Sequence, residues 1–271
     1  MGLFDKLFSK KKEVTTEAEV LPMLQEMGRV DKPMGIAIGD NTYAIAPFSN
    51  MVEIRVNDKE PVGVYKFKFM ALEDILYEAE TYYKAGDYGH AMESVEQALT
   101  LDNKQPEENR DWRVYYLAGC IAMKSRKFDA AAGLLSTALE TNGCPPEKQI
   151  QALNSIGACC SILEEKKNAH EAYLMALALD KENTETLHNI GGFYWDCNML
   201  DKAAESYLSV LRLDINYIAT YEEIGNLLKQ QDNEALGNYF LNIFNNKSID
   251  NEAKQKIDEA ALFFESKKVK E

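Results

Sequence analysis

The sequence predicts a mainly α protein: a stack of paired antiparallel helices with a small β-containing segment on its N-terminal side. Three observations predict it. First, the chain copies itself. Leu153-Asn154-Ser155-Ile156-Gly157 returns as Leu187-His188-Asn189-Ile190-Gly191, and Ala169, Tyr173 and Leu179-Asp180 return as Ala203, Tyr207 and Leu213-Asp214. The offset is 34 residues each time (187 − 153 and 203 − 169). A period of this length belongs to helix pairs that bury their apolar faces only against their neighbours. Second, apolar residues keep helical spacing from Ala71 to the C-terminal end. Third, the spacing is two rather than 3.6 in the stretch before Ala71, as in short half-buried strands.

Composition narrows the function classes. With 271 residues and 46% hydrophobic content, the chain can bury a sizeable core. Its net charge of −14 argues against binding a phosphate backbone, which takes clustered Lys and Arg. The charge is read as an acidic solvated surface or as a match for a basic partner. Cys120, Cys144, Cys159, Cys160 and Cys197 form no CxxC pair, and an odd count without a secretory signal predicts reduced thiols and a cytoplasmic setting. His90, His170 and His188 share no metal-ligand spacing, so neither a metal nor a cofactor is expected. No apolar run reaches the roughly 18–20 residues that span a bilayer.

Residues 1–12 form a basic tail with four lysines against one aspartate. Leu3, Phe4, Leu7 and Phe8 share one face of a helix. The tail reads either as a short amphipathic anchor, for an anionic membrane or a partner groove, or as a soluble extension. It is the single place where membrane contact is expected. Residues 13–70 form a small α+β segment. Leu21, Leu24 and Met27 have helical spacing; then Ile36 and Ile38, Tyr43 and Ile45, Val52, Ile54 and Val56, and Tyr65, Phe67 and Phe69 alternate in strands. Gly39-Asp40-Asn41 and Asn57-Asp58-Lys59 are turns. Because so small a sheet rarely stands alone, it is expected to pack on the first helices of the array.

Residues 71–246 hold the repeats. In the third copy Leu153, Ile156, Gly157 and Cys160 mark the first helix of the pair, and Ala169, Tyr173 and Ala176 the second. The fourth copy has Leu187, Ile190, Gly191 and Tyr194, then Ala203, Tyr207 and Val210. The second has Tyr115, Ala118, Gly119 and Ala122, then Ala131, Leu135 and Ala138. The first has Ile75, Ala79 and Tyr82, then Ala91, Val95 and Ala98, with Glu78 departing from the aliphatic pattern. Tyr221, Ile224, Gly225 and Leu228 open a fifth copy whose second helix, around Ala235 to Phe244, fits loosely behind a turn that looks shortened. The small residues let the two helices of a pair approach closely. Residues 247–271 read as a capping helix, with Ile257, Ala260, Ala261 and Phe264 on one face.

This pattern of bulky, aliphatic and small positions resembles the tetratricopeptide repeat family. The resemblance implies a right-handed superhelical α-solenoid, lined on its concave face by the first helix of each pair. It implies an intracellular scaffold or adaptor that binds a protein or peptide segment in that groove. A peptide-responsive regulator, as some bacterial members are, is the alternative, as is a peripheral membrane adaptor acting through residues 1–12. The positions facing the groove would be Tyr77 in the first copy, Tyr116 in the second, Asn154 in the third, His188, Asn189 and Trp195 in the fourth, and Glu222 and Asn226 in the fifth. Among the positions of the clamp by which some members hold a chaperone C-terminus, only Asn189 matches; Glu222 and Glu223 would repel that carboxylate. No nucleophile–base pair, phosphate loop or HExxH stretch is present, so no enzymatic activity is expected. Cys160 sits at a packing position, which points to a core rather than a redox role for at least one of the Cys159-Cys160 pair.

Overall fold

The computed structural model describes residues 34–38, 41–48, 51–56, 61–65 and 72–268, in two compact units divided after Gln105. The expectations for residues 1–12, for the helix around Leu21–Met27 and for most of the predicted strand turns lie outside the described residues.

In the first unit, β1 (Met34–Ile38), β2 (Asn41–Phe48), β3 (Met51–Val56) and β4 (Pro61–Tyr65) form an antiparallel sheet in chain order. The register sets Ile36 opposite Tyr43, Tyr43 opposite Val56 and Ile45 opposite Ile54, with an irregularity at Ile54/Arg55. The fourth strand begins before the Tyr65–Phe69 alternation that predicts it. The same unit holds the first helix pair, α1 (Leu72–Lys84) and α2 (Tyr88–Asp102). Ile75, Ala79, Ala91, Val95 and Ala98 are buried there.

The second unit contains four helix pairs: α3 (Trp112–Lys124) with α4 (Phe128–Glu140), α5 (Pro146–Ile162) with α6 (Lys166–Leu179), α7 (Thr184–Asp196) with α8 (Leu200–Leu213), and α9 (Ile218–Gln230) with α10 (Glu234–Asn246). A last helix, α11, spans Ala253–Lys268. The predicted small positions are where the pairs touch. A Cβ placed on Gly119 would lie 2.6 Å from Leu135, one on Gly157 2.6 Å from the Tyr173 ring, and one on Gly191 2.7 Å from the Tyr207 ring. Opposite them, Ala131, Ala169 and Ala203 are fully buried.

The fifth copy differs from its sequence reading. Its inter-helix turn is not shortened: Gln231-Asp232-Asn233 joins α9 to α10 just as Cys197-Asn198-Met199 joins α7 to α8. Gly225 and Gly237 are 12 apart (237 − 225), the spacing of Gly191 and Ala203 (203 − 191). Each opposes the other's carbonyl, a Cβ on Gly237 falling 2.7 Å from Gly225 O. Glycine on both sides hides the small-residue register from a match by residue type.

The hairpin turns share one device. Gly86, Arg126, Glu164, Asn198 and Asp232 all adopt positive φ, from 57° to 78°. The next N–H reaches back to the preceding helix in every case, as from Met199 N to Tyr194 O (2.8 Å) and Asn233 N to Leu228 O (2.9 Å). This is the Schellman closure that satisfies the last carbonyls of a helix. Helix α11 packs on α8, where Ala204, Leu208 and Leu211 are buried together with Ile257, Ala260 and Phe264.

Candidate functional site

Along the first helices of the second unit, one position repeats as a strut between pairs. Asn154 on α5 is 3% exposed, and its Nδ2 donates to Thr186 Oγ1 on α7 (2.9 Å). Thr186 in turn donates from Oγ1 and N to Asn183 Oδ1, the cap of α7 (2.9 and 3.0 Å). One repeat on, His188 Nδ1 meets Thr220 Oγ1 on α9 at 2.9 Å. Both threonines are fully buried. In the second copy the corresponding residue, Tyr116, donates to Gln151 Oε1 on α5 (2.9 Å), and Lys148 lies over its ring. Asn154 is therefore corrected from a groove contact to an inter-repeat strut: the N-terminal turn of the following helix covers it. Tyr116 is half-buried and bound in the same way.

Beside these struts, α5, α7 and α9 frame a cleft of about 510 Å³. Ala158, Ser161 and Ile162 form one wall; His188, Asn189, Gly192, Trp195 and Asp196 come from α7, and Glu223 from α9. Tyr173 and Tyr207, the aromatics that fill the glycine notches, also reach it. Of the predicted partner-binding residues, the cleft brings together His188, Asn189 and Trp195. Glu222 and Asn226 do not line it, though Glu222 neighbours Glu223; Tyr77, exposed on α1, belongs to the first unit.

The lining is aromatic and acidic, with no Lys or Arg. Trp195 is half-buried, its ring centroid 6.4 Å from that of Tyr207. His188 sits between the rings of Tyr207 (5.6 Å) and Tyr217 (5.3 Å). Burial lowers its pKa, which keeps the imidazole neutral at neutral pH. Burial raises the Glu223 carboxyl, and so do the neighbouring Glu222 and Asp196. Burial, Glu223 and Asp196 likewise push the Tyr207 phenol upward. Two carboxylates from successive repeats thus converge on one aromatic wall. Asn189, Asp196 and Glu223 make no side-chain hydrogen bond or ion pair among the described residues.

Sequence reasoning missed Ser161, Ile162, Asp196, Tyr173 and Tyr207. The tyrosines were assigned to packing, which they also perform. All five thiols are free, and burial pushes Cys159 up to about 11 and raises Cys120, Cys144 and Cys160, which opposes the thiolate at those four. Cys159 and Cys160 are both buried. Among the described residues no cluster of three or more His, Cys, Asp or Glu could hold a metal ion, and no helix is long and apolar enough to cross a membrane.

These features define a class, the helical-hairpin repeat scaffolds, in which stacked pairs present the first helices along one face. The profile of the tetratricopeptide repeat matches residues 78–105 and 184–216, the first and fourth pairs. The chain thus carries tetratricopeptide repeats. Its fold is similar to that of MamA (18% identity, 71% of this chain and 94% of that one, TM-score 0.52). It is also similar to PilF of Pseudomonas aeruginosa (15%, 72% and 90%, TM-score 0.55) and to YrrB, a tetratricopeptide protein with an unusual peptide-binding site (17%, 70% and 92%, TM-score 0.50). No curated protein matches the sequence.

Proposed function

We propose that the protein is a non-enzymatic interaction scaffold whose α5–α7–α9 cleft holds an extended segment of a protein partner. Tetratricopeptide repeats in general bind proteins and peptides, and YrrB, of similar fold, has a peptide-binding site. The observation that carries the reading is the set of unspent groups in one cleft. Trp195 offers a large contact area at small entropic cost, and Asn189 has a free amide for the backbone of an extended peptide. The struts beneath them fix the spacing of α5, α7 and α9, so the cleft is preformed. The β1–β4 sheet is read as a terminal module that packs on the first helix pair, since a sheet of this size rarely stands alone.

Affinity capture from native lysate tests this, comparing the wild type with an Asn189→Ala/Trp195→Ala variant shown by circular dichroism to keep its helix content. Loss of a partner from the variant alone supports the cleft. Equal capture by both moves binding elsewhere on the molecule, with residues 1–12 and the β segment the next regions to test.

A further inference from the structure

We propose that the partner segment anchors itself with a lysine or arginine, its charge placed between Asp196 and Glu223 and its aliphatic stem along Trp195. This rests on the cleft being the binding site. The argument is charge complementarity. Each formally charged residue lining the cleft is an acid, and no Lys or Arg of the described residues pairs with Asp196 or Glu223. Glu222 stands next to Glu223 and adds a third negative charge nearby. His188 brings no compensating cation, since its half-buried ring packs between those of Tyr207 and Tyr217 and its Nδ1 is engaged by Thr220.

The aromatic wall adds chemical type to the sign of charge. A lysine or arginine side chain is a cation on an apolar stem, and it rests favourably on an indole or phenol while its head meets a carboxylate. A small inorganic cation would leave Trp195 and Ile162 without a role. A carboxylate ligand would be repelled, for the same reason that Glu222 and Glu223 exclude the chaperone clamp. Two carboxylates flanking a planar fork further suit a guanidinium.

A random decapeptide display library, selected on the full chain and on the Asn189→Ala/Trp195→Ala variant, tests the inference. Peptides enriched on the wild type and lost on the variant are cleft ligands. They are expected to share one Lys or Arg beside apolar residues. For the leading synthetic peptide, Asp196→Asn/Glu223→Gln should weaken binding about tenfold, and a basic-to-Met change in the peptide should cost as much. Combining both changes should cost little more than either alone, because they remove one interaction. Cleft-dependent peptides without a basic residue, or affinities unmoved by Asp196→Asn/Glu223→Gln, overturn the inference while leaving the cleft intact as a site. If no peptide depends on Asn189 and Trp195, the cleft reading itself fails, and this inference with it.

Discussion

Gly191 and Gly133 are both helical glycines, and they differ in what a methyl group would meet. At Gly191 it would enter the ring of Tyr207, which is 1% exposed. At Gly133 it would meet nothing within 4 Å. Gly133→Ala should therefore stabilise the protein by about 0.5–1 kcal/mol through helix propensity alone. Gly191→Ala should reverse the sign and cost about 1–3 kcal/mol by overpacking. Urea denaturation of the two variants checks both. The strut behaves differently again. Thr186→Val should cost about 1–3 kcal/mol because it strands the buried Asn154 amide, whereas Asn154→Leu/Thr186→Val removes both partners and should recover part of that loss. Glu223 makes a pH-dependent prediction. Its folded pKa is raised, so the cost to folding is absent below the unfolded carboxylate range near 4.5, grows as the pH rises through it, and is complete above the folded value. Glu223→Gln should raise Tm at neutral pH and leave it unchanged at acid pH, measured by thermal melts across the range.

At the scale of elements, the repeated unit is a hairpin closed by a left-handed residue. Four of the five positions carry a side chain: Arg126, Glu164, Asn198 and Asp232. Asn and Asp visit this conformation readily; Arg and Glu do so at a cost of roughly 1 kcal/mol or more. Glu164→Gly should thus stabilise by up to about 1 kcal/mol, and Asn198→Gly by less. Thermal or chemical denaturation separates the two. Much of this level was legible in the sequence, because the packing glycines and alanines recur at fixed distances and need no knowledge of the neighbouring repeat. The fifth pair was harder to read, since Gly237 preserves the spacing but replaces the alanine of the other copies. Asn154 was misread for a related reason. A helix wheel shows which way a residue leaves its own helix, but not that Thr186, 32 residues later, will cover it. The wheel also treats core and cleft as exclusive, while Tyr173 and Tyr207 serve both.

At the scale of the molecule, a repeat array is stabilised pair by pair, and its end must be covered. Leu208 on α8 is 3% exposed beneath α11, while Leu174, its counterpart one repeat earlier on α6, is 45% exposed. Removing residues 249–271 should therefore expose Ala204, Leu208 and Leu211. Amide hydrogen exchange should speed up in α8–α10 and change little in α3–α6. Uniform loss of protection across α3–α10 would mean that the second unit unfolds as one cooperative block. The central claim is that the partner lies along the first-helix face. A photo-crosslinking amino acid at Ser161, in the cleft wall, and another at Met175, exposed on α6, test it most directly once a partner is captured. Crosslinks from position 161 and none from 175 are the predicted result. The reverse pattern would contradict the claim and move the interaction to the second-helix face.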